Sequence, residues 1–512
     1  MENPGASMGG AIDLGAPVGA PAVLVDEEWP PVLEHVWADA FPELSRPVSP
    51  VRPPRPRLLA VNEQVARDLG LDPVHLRSQA GVSFLTGGSL AAGSIPVAQV
   101  YAGHQWGVYK PILGDGRAAL LGERRDRTGH LRDVHLKGIG PTSMSRVDGF
   151  AATGPMLREF LMGEAMHALG VPTTRALAVV ATGAPREHDG RVLPGAVLAR
   201  TAASHVRFGS FEYVRGQDDL GALRRLADHV IGRHYPEAAA AGHPYRALLR
   251  EIVNAVAALT ARWMRTGFVH GVLSTDNVLV SAETIDYGPC AFLDAYEPGA
   301  SFSSIDRFGR YAYDQQPSIM RWNIERLGHA LAPLLADDPS TGERIATDIV
   351  EAFDARYRAH WAAAFRMKLG IDDRVDPSVV AELARAALDL LGDHEVDFTG
   401  FWRDLATAAV GDEQPLRGRF LGPVPDLDAW LNRWLALGPD AALIRAANPL
   451  YIARNHIVEE VLLSATEGDL EPFEQLLDLL RDPYTERSGR EYRRFAWPAP
   501  NGAPRHRTFC GT

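Results

Sequence analysis

The chain has 512 residues, 46% of them hydrophobic, and a formal net charge of −12 from 52 basic and 64 acidic side chains. That content allows a large core and speaks against global disorder, while the acidic balance speaks against a nucleic-acid partner, which selects a basic face. No apolar run approaches the roughly 20 residues of a membrane helix, and two cysteines, Cys290 and Cys510, are too few for a disulfide framework or a Cys-rich zinc site.

Residues 1–24 are rich in Gly, Ala and Pro and read as a flexible tail. They carry neither a secretory signal nor an Arg-rich presequence, so a reducing, cytoplasmic setting is expected. Residues 25–97 read as an N-terminal extension packing on the lobes that follow. Within it the Pro/Arg cluster at 46–57 predicts an extended strap over a domain surface. Residues 98–215 read as a strand-containing lobe. Ala118–Gly122 and Val134–Lys137 predict strands around a turn at Asp126–Gly129, with further strands at Arg175–Ala181 and Ala196–Thr201. Between them Pro155–Leu169 predicts a helix, opened by its proline and stopped by Gly170 and Pro172. Residues 216–445 read as a mainly helical lobe. Tyr245–Arg265 is amphipathic, with Leu248, Leu249, Ile252, Val256 and Leu259 facing inward. Ile319–Leu335, Ile345–Met367 and Pro377–Leu391 follow as helices. Residues 446–512 form a C-terminal extension, with a helical pair over Asn455–Arg481 broken at Gly468.

Chemistry concentrates between His270 and Gly288. His270-Gly-Val-Leu-Ser-Thr-Asp-Asn277 is followed, after seven residues, by Ile285-Asp-Tyr-Gly288. Kinase-type phosphotransferases place a His-Gly-Asp or His-Arg-Asp loop before an Asn, then an Asp-Phe-Gly strand end; the Asn and the second Asp hold the metal on the ATP phosphates. Asn277 and Asp286 stand at those ligand positions. Val272 stands where the catalytic Asp belongs, and Asp276 offers a carboxylate beside the Asn. Oxygen ligands, few in number and completed by phosphate and water, suit magnesium.

Other segments fit the same order. Gly114-Asp-Gly116-Arg117 can bring backbone N–H groups and a cation to phosphate, although such a tripeptide alone is more often a hairpin turn. Lys137 follows at a strand end, and Glu159 (or, second, Glu164) on the next helix can pair with it as in kinases. The Gly/Ser/Thr-rich run 137–149 reads as a flap over nucleotide or as a solvated linker. Arg200 and Arg207 flank Ser204-His205 and could clamp a pyrophosphate, or form surface ion pairs. His270 reads as structural.

Assembled, these residues resemble the selenoprotein O family, kinase-fold protein adenylyltransferases. The resemblance rests on Tyr101-Ala-Gly-His-Gln-Trp-Gly107, Leu113–Arg117, Glu164–Leu177, Ser204–Gly209, Thr275-Asp-Asn277, Thr284–Pro289 and Gly309–Pro317. It implies an α+β, protein-kinase-like bilobal fold: a strand-containing N-lobe and a mainly helical C-lobe. It also implies a nucleotide flipped relative to ordinary kinases, so that AMP passes to a Ser, Thr or Tyr hydroxyl of a protein and pyrophosphate leaves. On that resemblance Gly114, Gly116, Arg117, Lys137, Asp148, Gly149, Arg200, Arg207 and Asp286 contact the nucleotide. Glu159 orients Lys137, Asn277 and Asp286 bind Mg2+ (Mn2+ being the alternative), and Asp276 accepts the proton. ATP is the substrate; the partners are acceptor proteins, with self-modification as one outcome. The chain departs from the family pattern where the flap is one residue shorter, Phe150 replaces an Arg, Met144 an aromatic and Ser274 an Asn. Cys510 matches the family's terminal Cys or selenocysteine, which makes Cys290 and Cys510 a candidate redox pair. The alternative is that Cys290 is a small buried residue.

Two other readings stand beside this one. A conventional kinase moving the γ-phosphate is disfavoured by Val272. A nucleotide-binding pseudokinase is disfavoured by the retention of Lys137, Glu159, Asn277 and Asp286.

Overall fold

The computed structural model describes residues 29–188, 191–500, 503–504 and 506–508. The tail expected over 1–24, and Cys510, lie outside the described residues. The strands are β1 (Ser45–Pro47), β2 (Arg57–Val61), β3 (Val97–Gln99), β4 (Gly103–Gln105), β5 (Val108–Lys110), β6 (Ala118–Arg125), β7 (Leu131–Lys137), β8 (Arg175–His188), β9 (Arg191–Ala202), β10 (Phe268–Val269) and β11 (Ala291–Phe292). Seven form one antiparallel sheet in the order β1-β3-β6-β7-β9-β8-β2. Beyond β9 the described chain is helices and loops apart from the β10–β11 ribbon. The class is therefore α+β, with a sheet-containing N-terminal part and a helical C-terminal part.

The expected turn at Asp126–Gly129 joins β6 to β7. Asp126 Oδ1 accepts from the backbone N–H groups of Thr128 (2.9 Å) and His130 (3.0 Å), closing the hairpin locally. Its register sets Ala118 opposite Lys137, which delivers the lysine beside the glycine loop that precedes β6.

β1 and β2 are the two outer strands, so the chain between them crosses the sheet from edge to edge. Backbone hydrogen bonds hold it: Val48 N to Pro96 O (3.0 Å), Val51 N to Ile139 O (2.8 Å) and Arg55 N to Thr182 O (3.1 Å). Prolines suit such a strap because extended chain needs no ladder N–H at every residue. The segment read as an extension thus contributes both edges of the sheet as well as its cover.

The helix expected at Pro155–Leu169 runs Thr153–Ala168. Starting two residues earlier keeps Pro155 in the first turn, where its missing N–H is harmless. It is buried on nearly all sides, because one face packs on β8 and β9 and the other on Asn455–Glu467 and Glu471–Arg481. The ion pairs Arg158–Glu459 (3.0 Å) and Arg481–Glu164 (3.1 Å) add to that contact. The C-terminal helical pair therefore backs the helix that carries Glu159.

In the helical part, Pro244–Thr266 begins on a proline and ends on Gly267, whose φ of 72° makes the left-handed cap. All five residues read as inward are buried. The expected single helix Ile345–Met367 is two: Pro339–Glu351 and Phe353–Leu369, meeting at Ala352. The first starts early because Asp338 accepts from Thr341 N at 2.8 Å and Pro339 follows it. Neither proline nor glycine marks the junction itself, so periodicity runs through it. A second correction concerns Asp286. It does not end a strand; it lies in irregular chain just before the turn at 288–289, with φ of 61°, between β10 and β11, which pair and close the 270–290 loop.

Burial leaves several histidines uncharged. It pushes His205 and His234 down to about 3, and His229 and His270 down to about 4. Burial also pushes Glu123 up to about 8 and Glu283 up to about 7. A folded-state histidine with a depressed pKa loses stability as pH falls below the unfolded value near 6.5; a carboxyl with a raised pKa gains stability over the range down to about 4.5. Four histidines outweigh two glutamates, so melting temperature should peak near neutrality and fall steadily below about pH 6. A scan of melting temperature from pH 4 to 8 tests this, and a flat profile between 4 and 6 contradicts it.

Candidate active site

A cleft of about 500 Å³ opens where the glycine loop, the Thr153–Ala168 helix, the β4–β5 hairpin and the 270–290 loop meet. Its floor is a charge cluster. Lys137 Nζ donates to Glu159 Oε1, and to Asp286 Oδ1 at 2.8 Å. Arg200 Nη1 donates to Glu159 Oε2 at 3.3 Å and to Asp286 Oδ1 at 3.0 Å. Arg207 Nη1 reaches Asp286 Oδ2 at 3.2 Å, Asn277 Oδ1 at 3.4 Å and the main-chain carbonyl of Asp276. Burial alone would raise the Asp286 carboxyl; the charges of Lys137, Arg200 and Arg207 instead hold it well below the usual carboxylate range. Glu159, not Glu164, faces Lys137: Glu164 is engaged by Arg175 at 2.9 Å.

The arginines are held from behind. Arg200 Nε donates to His135 Nδ1 at 3.3 Å, and His135 Nε2 donates to Asp115 Oδ2 at 3.1 Å. Tyr101 lies under the Arg207 guanidinium, 4.7 Å from ring centroid to Cζ. A buried cation fixed in this way has little freedom left to lose on meeting a phosphate.

The opposite wall carries Asp276. Gln105 Nε2 donates to its Oδ2 at 2.7 Å. Oδ1 is buried and has no partner of ordinary hydrogen-bond geometry. Burial holds this carboxyl above its ordinary value, opposed by hydrogen bonds from Ser274 and Gln105 and by the Arg207 charge. Asn277 is oriented by Nδ2–H to the Val272 carbonyl at 3.0 Å. That bond leaves its Oδ1 directed at the same Arg207 nitrogen that Asp286 Oδ2 meets, so the two oxygens face one common point. Val272 itself lines the cleft with an apolar side chain. Among the described residues no group of three or more His, Cys, Asp or Glu side chains could hold a metal ion, so a metal here would draw its remaining ligands from phosphate and water.

A family model described as protein adenylyltransferase SelO matches residues 33–481. The chain belongs to this family. A protein nucleotidyltransferase YdiU from Mycobacterium sp. (strain KMS) is 52% identical over 481 residues, covering 94% of this chain and 99% of the relative. Proteins of the same name from Pseudarthrobacter chlorophenolicus (51%, 92% and 96% covered) and Cereibacter sphaeroides ATCC 17023 (52%, 91% and 96% covered) are similarly related. The chain is accordingly an enzyme of the nucleotidyltransferase class, and the resemblance noted from its motifs holds over nearly its whole length.

In this family member Gly114, Gly116, Arg117, Lys137, Arg200, Arg207, Asp276, Asn277 and Asp286 all line the cleft, with Glu159. Asp148 and Gly149 do not. Asp148 is exposed and pairs with Arg186 at 2.7 Å. Gly149, at φ 77°, accepts at its carbonyl from Gly140 N at 3.0 Å, and an added Cβ would lie 2.3 Å from Gly140 main-chain atoms. Together they close the base of the 141–149 segment, which packs on the glycine loop through Thr142 Oγ1 to Asp115 O (2.7 Å) and Ser145 Oγ to Gly116 O.

Cys290 is buried, donates to the Tyr287 carbonyl at 3.1 Å, and burial pushes its thiol up to about 12. It is protonated and shielded in this arrangement. Its candidate partner, Cys510, lies outside the described residues; Thr508 Oγ1 donates to the Pro289 carbonyl at 2.8 Å.

Sequence reasoning passed over Tyr101, Gln105, Asp115 and His135 as site residues. Asp115 sat inside the Gly-Asp-Gly signal and Gln105 inside the 101–107 motif, but no spacing rule links Asp115 to His135 across the sheet, and Asp276, the partner of Gln105, lies 171 residues along the chain.

Proposed function

We propose that this enzyme transfers AMP from ATP to a Ser, Thr or Tyr hydroxyl of a protein, on a kinase-like bilobal scaffold with the nucleotide flipped. The observation that carries this reading is the convergence of Lys137, Arg200 and Arg207 on Asp286, opposite a buried Asp276 carboxylate, with Val272 at the usual base position. Three fixed cations lining the cleft suit the charge that develops on a departing pyrophosphate. The Asp276 carboxylate would take the acceptor proton as the hydroxyl oxygen bonds to the α-phosphorus. The α–β P–O bond breaks, and its electron pair leaves on pyrophosphate, met by the cations.

Asn277 Oδ1 and Asp286 Oδ2, converging on one point, fit the oxygen-ligand demand of magnesium or manganese. Such an ion, when bound, would neutralise phosphate charge. Because Arg207 Nη1 occupies that point in the ion-pair network, the guanidinium is expected to exchange carboxylate for phosphate as nucleotide enters. The names of the relatives, protein nucleotidyltransferases, support the class of reaction. A cytoplasmic site of action remains our expectation, alongside the fact that no described helix is long and apolar enough to cross a membrane.

ATP labelled at either the α- or the γ-phosphate separates the alternatives. Label should enter protein from the α position alone. Entry from the γ position alone would mean an ordinary kinase, and entry from neither would mean a nucleotide binder.

A further inference from the structure

The β4–β5 hairpin is docked onto the loop that carries Asp276 by an oriented chain of polar contacts. His104 N donates to Thr275 Oγ1 at 2.7 Å, and Thr275 Oγ1 donates to Glu212 Oε2 at 2.5 Å. Glu212 Oε1 pairs with His104 Nδ1 at 2.5 Å, which closes the circuit. At the hairpin tip, Trp106 N donates to the Tyr311 hydroxyl at 3.1 Å. At its start, Gly103 lies so close that an added Cβ would sit 2.8 Å from the Asp276 Cβ. The hairpin register, Gln105 opposite Val108, then delivers the Gln105 amide to Asp276 Oδ2 at 2.7 Å.

This arrangement divides the two carboxylate oxygens. One is tied by a donor from a separate, well-anchored element; the other is buried against Gly103 without a partner of ordinary geometry, in a residue that lines the cleft. Arg207 touches only the main-chain carbonyl of Asp276 and does not compete for its carboxylate. A free carboxylate in a pocket can rotate about χ2 and lose its aim, whereas a proton acceptor must sit within hydrogen-bond reach of the hydroxyl. We propose that Gln105 is the positioning residue of the reaction: its amide holds Asp276 Oδ2 and so fixes the orientation of the carboxylate that receives the acceptor proton. The proposal rests on Asp276 being the proton acceptor.

The test compares Gln105→Met, which keeps the length and loses the donor, with Gln105→His, which retains an N–H donor. Full-length protein is supplied with α-labelled ATP, and label is counted on the protein itself and on casein. Affinity for α,β-methylene-ATP and melting temperature are measured in parallel. Gln105→Met should lower kcat about 10- to 100-fold, the value of one hydrogen bond to a charged group. Nucleotide affinity and KM for ATP should stay within about twofold. Gln105→His should recover part of the loss. Wild-type kcat in the Met variant, a loss that appears in nucleotide affinity or melting temperature instead, or a His variant no better than Met would each overturn the positioning role. Asp276→Asn in the same assay separates the two layers. If it turns over at the wild-type rate, the proton-acceptor reading fails and the positioning role falls with it. If it is slow while Gln105→Met is not, only the positioning role falls.

Discussion

Asp286→Ala should abolish AMP transfer, lowering the rate of α-label incorporation about 10³-fold or more. Among the described residues Asp286 is the one carboxylate that meets Lys137 (2.8 Å), Arg200 (3.0 Å) and Arg207 (3.2 Å) together, and it shares a focus with Asn277 Oδ1. Its loss removes the anionic member of the proposed metal site and the counter-charge that spaces the three cations. The backbone adds a second effect, since a φ of 61° strains alanine more than asparagine or aspartate. Asp286→Asn therefore isolates charge from conformation: it should melt closer to wild type than the Ala variant yet still lose at least about 10²-fold in rate. Binding and chemistry should separate. With Asp286 gone, Arg207 has lost the carboxylate it would exchange for phosphate, and Lys137 and Arg200 are left with Glu159, so in EDTA the Ala variant should bind ATP at least as tightly as wild type. Transfer within tenfold of wild type, or weaker metal-free ATP binding, would show that Asp286 does not hold this cluster in the way described.

The parts of the site that the sequence announced are those built from short-range pattern. Lys137 and Glu159 lie 22 residues apart on consecutive elements, a strand end and the helix after it, so their meeting follows from strand-then-helix order. Asn277 and Asp286 come from one loop bracketed by β10 and β11. The Pro244–Thr266 helix was clear because its proline, its apolar period and its terminal glycine agree. What escaped detection depends on contacts across long stretches of chain. Gln105 and Asp276 are 171 residues apart, and neither periodicity nor turn chemistry carries such a pairing. The 46–57 strap was readable as extended chain from its prolines, but its role in joining the outer strands of one sheet appears only in the strand order. The break at Ala352 escaped because helical spacing continues through it with no proline or glycine. Asp148 and Gly149 were assigned to the nucleotide by the family resemblance; the structure places them at the base of the 141–149 segment, where Asp148 pairs with Arg186 and Gly149 accepts from Gly140 N.

Asp276→Asn should leave nucleotide affinity within about twofold of wild type and cut turnover about 10²- to 10⁴-fold, the usual span for a general base. Asn keeps an oxygen that can accept from Gln105, so the hairpin contact and the loop it anchors persist while the proton acceptor is lost. Stability should move the other way. Burial raises the Asp276 carboxyl above its ordinary value, which means that the ionised form is disfavoured in the folded state. At neutral pH that group costs folding free energy that an amide does not, so the Asn variant should melt at or above the wild-type temperature. A carboxylate kept buried at a cost on the lining of the cleft, with one oxygen tied, is what a base needs: desolvation strengthens it, and the tie holds its orientation. Asp276→Ala should match Asn in rate but not in stability, because it also removes the acceptor for Gln105 and leaves that amide unpaired. If Asn turned over like wild type, or if both variants lost nucleotide binding, Asp276 would be a structural member of the loop, and the proton acceptor would have to be sought elsewhere in the cleft.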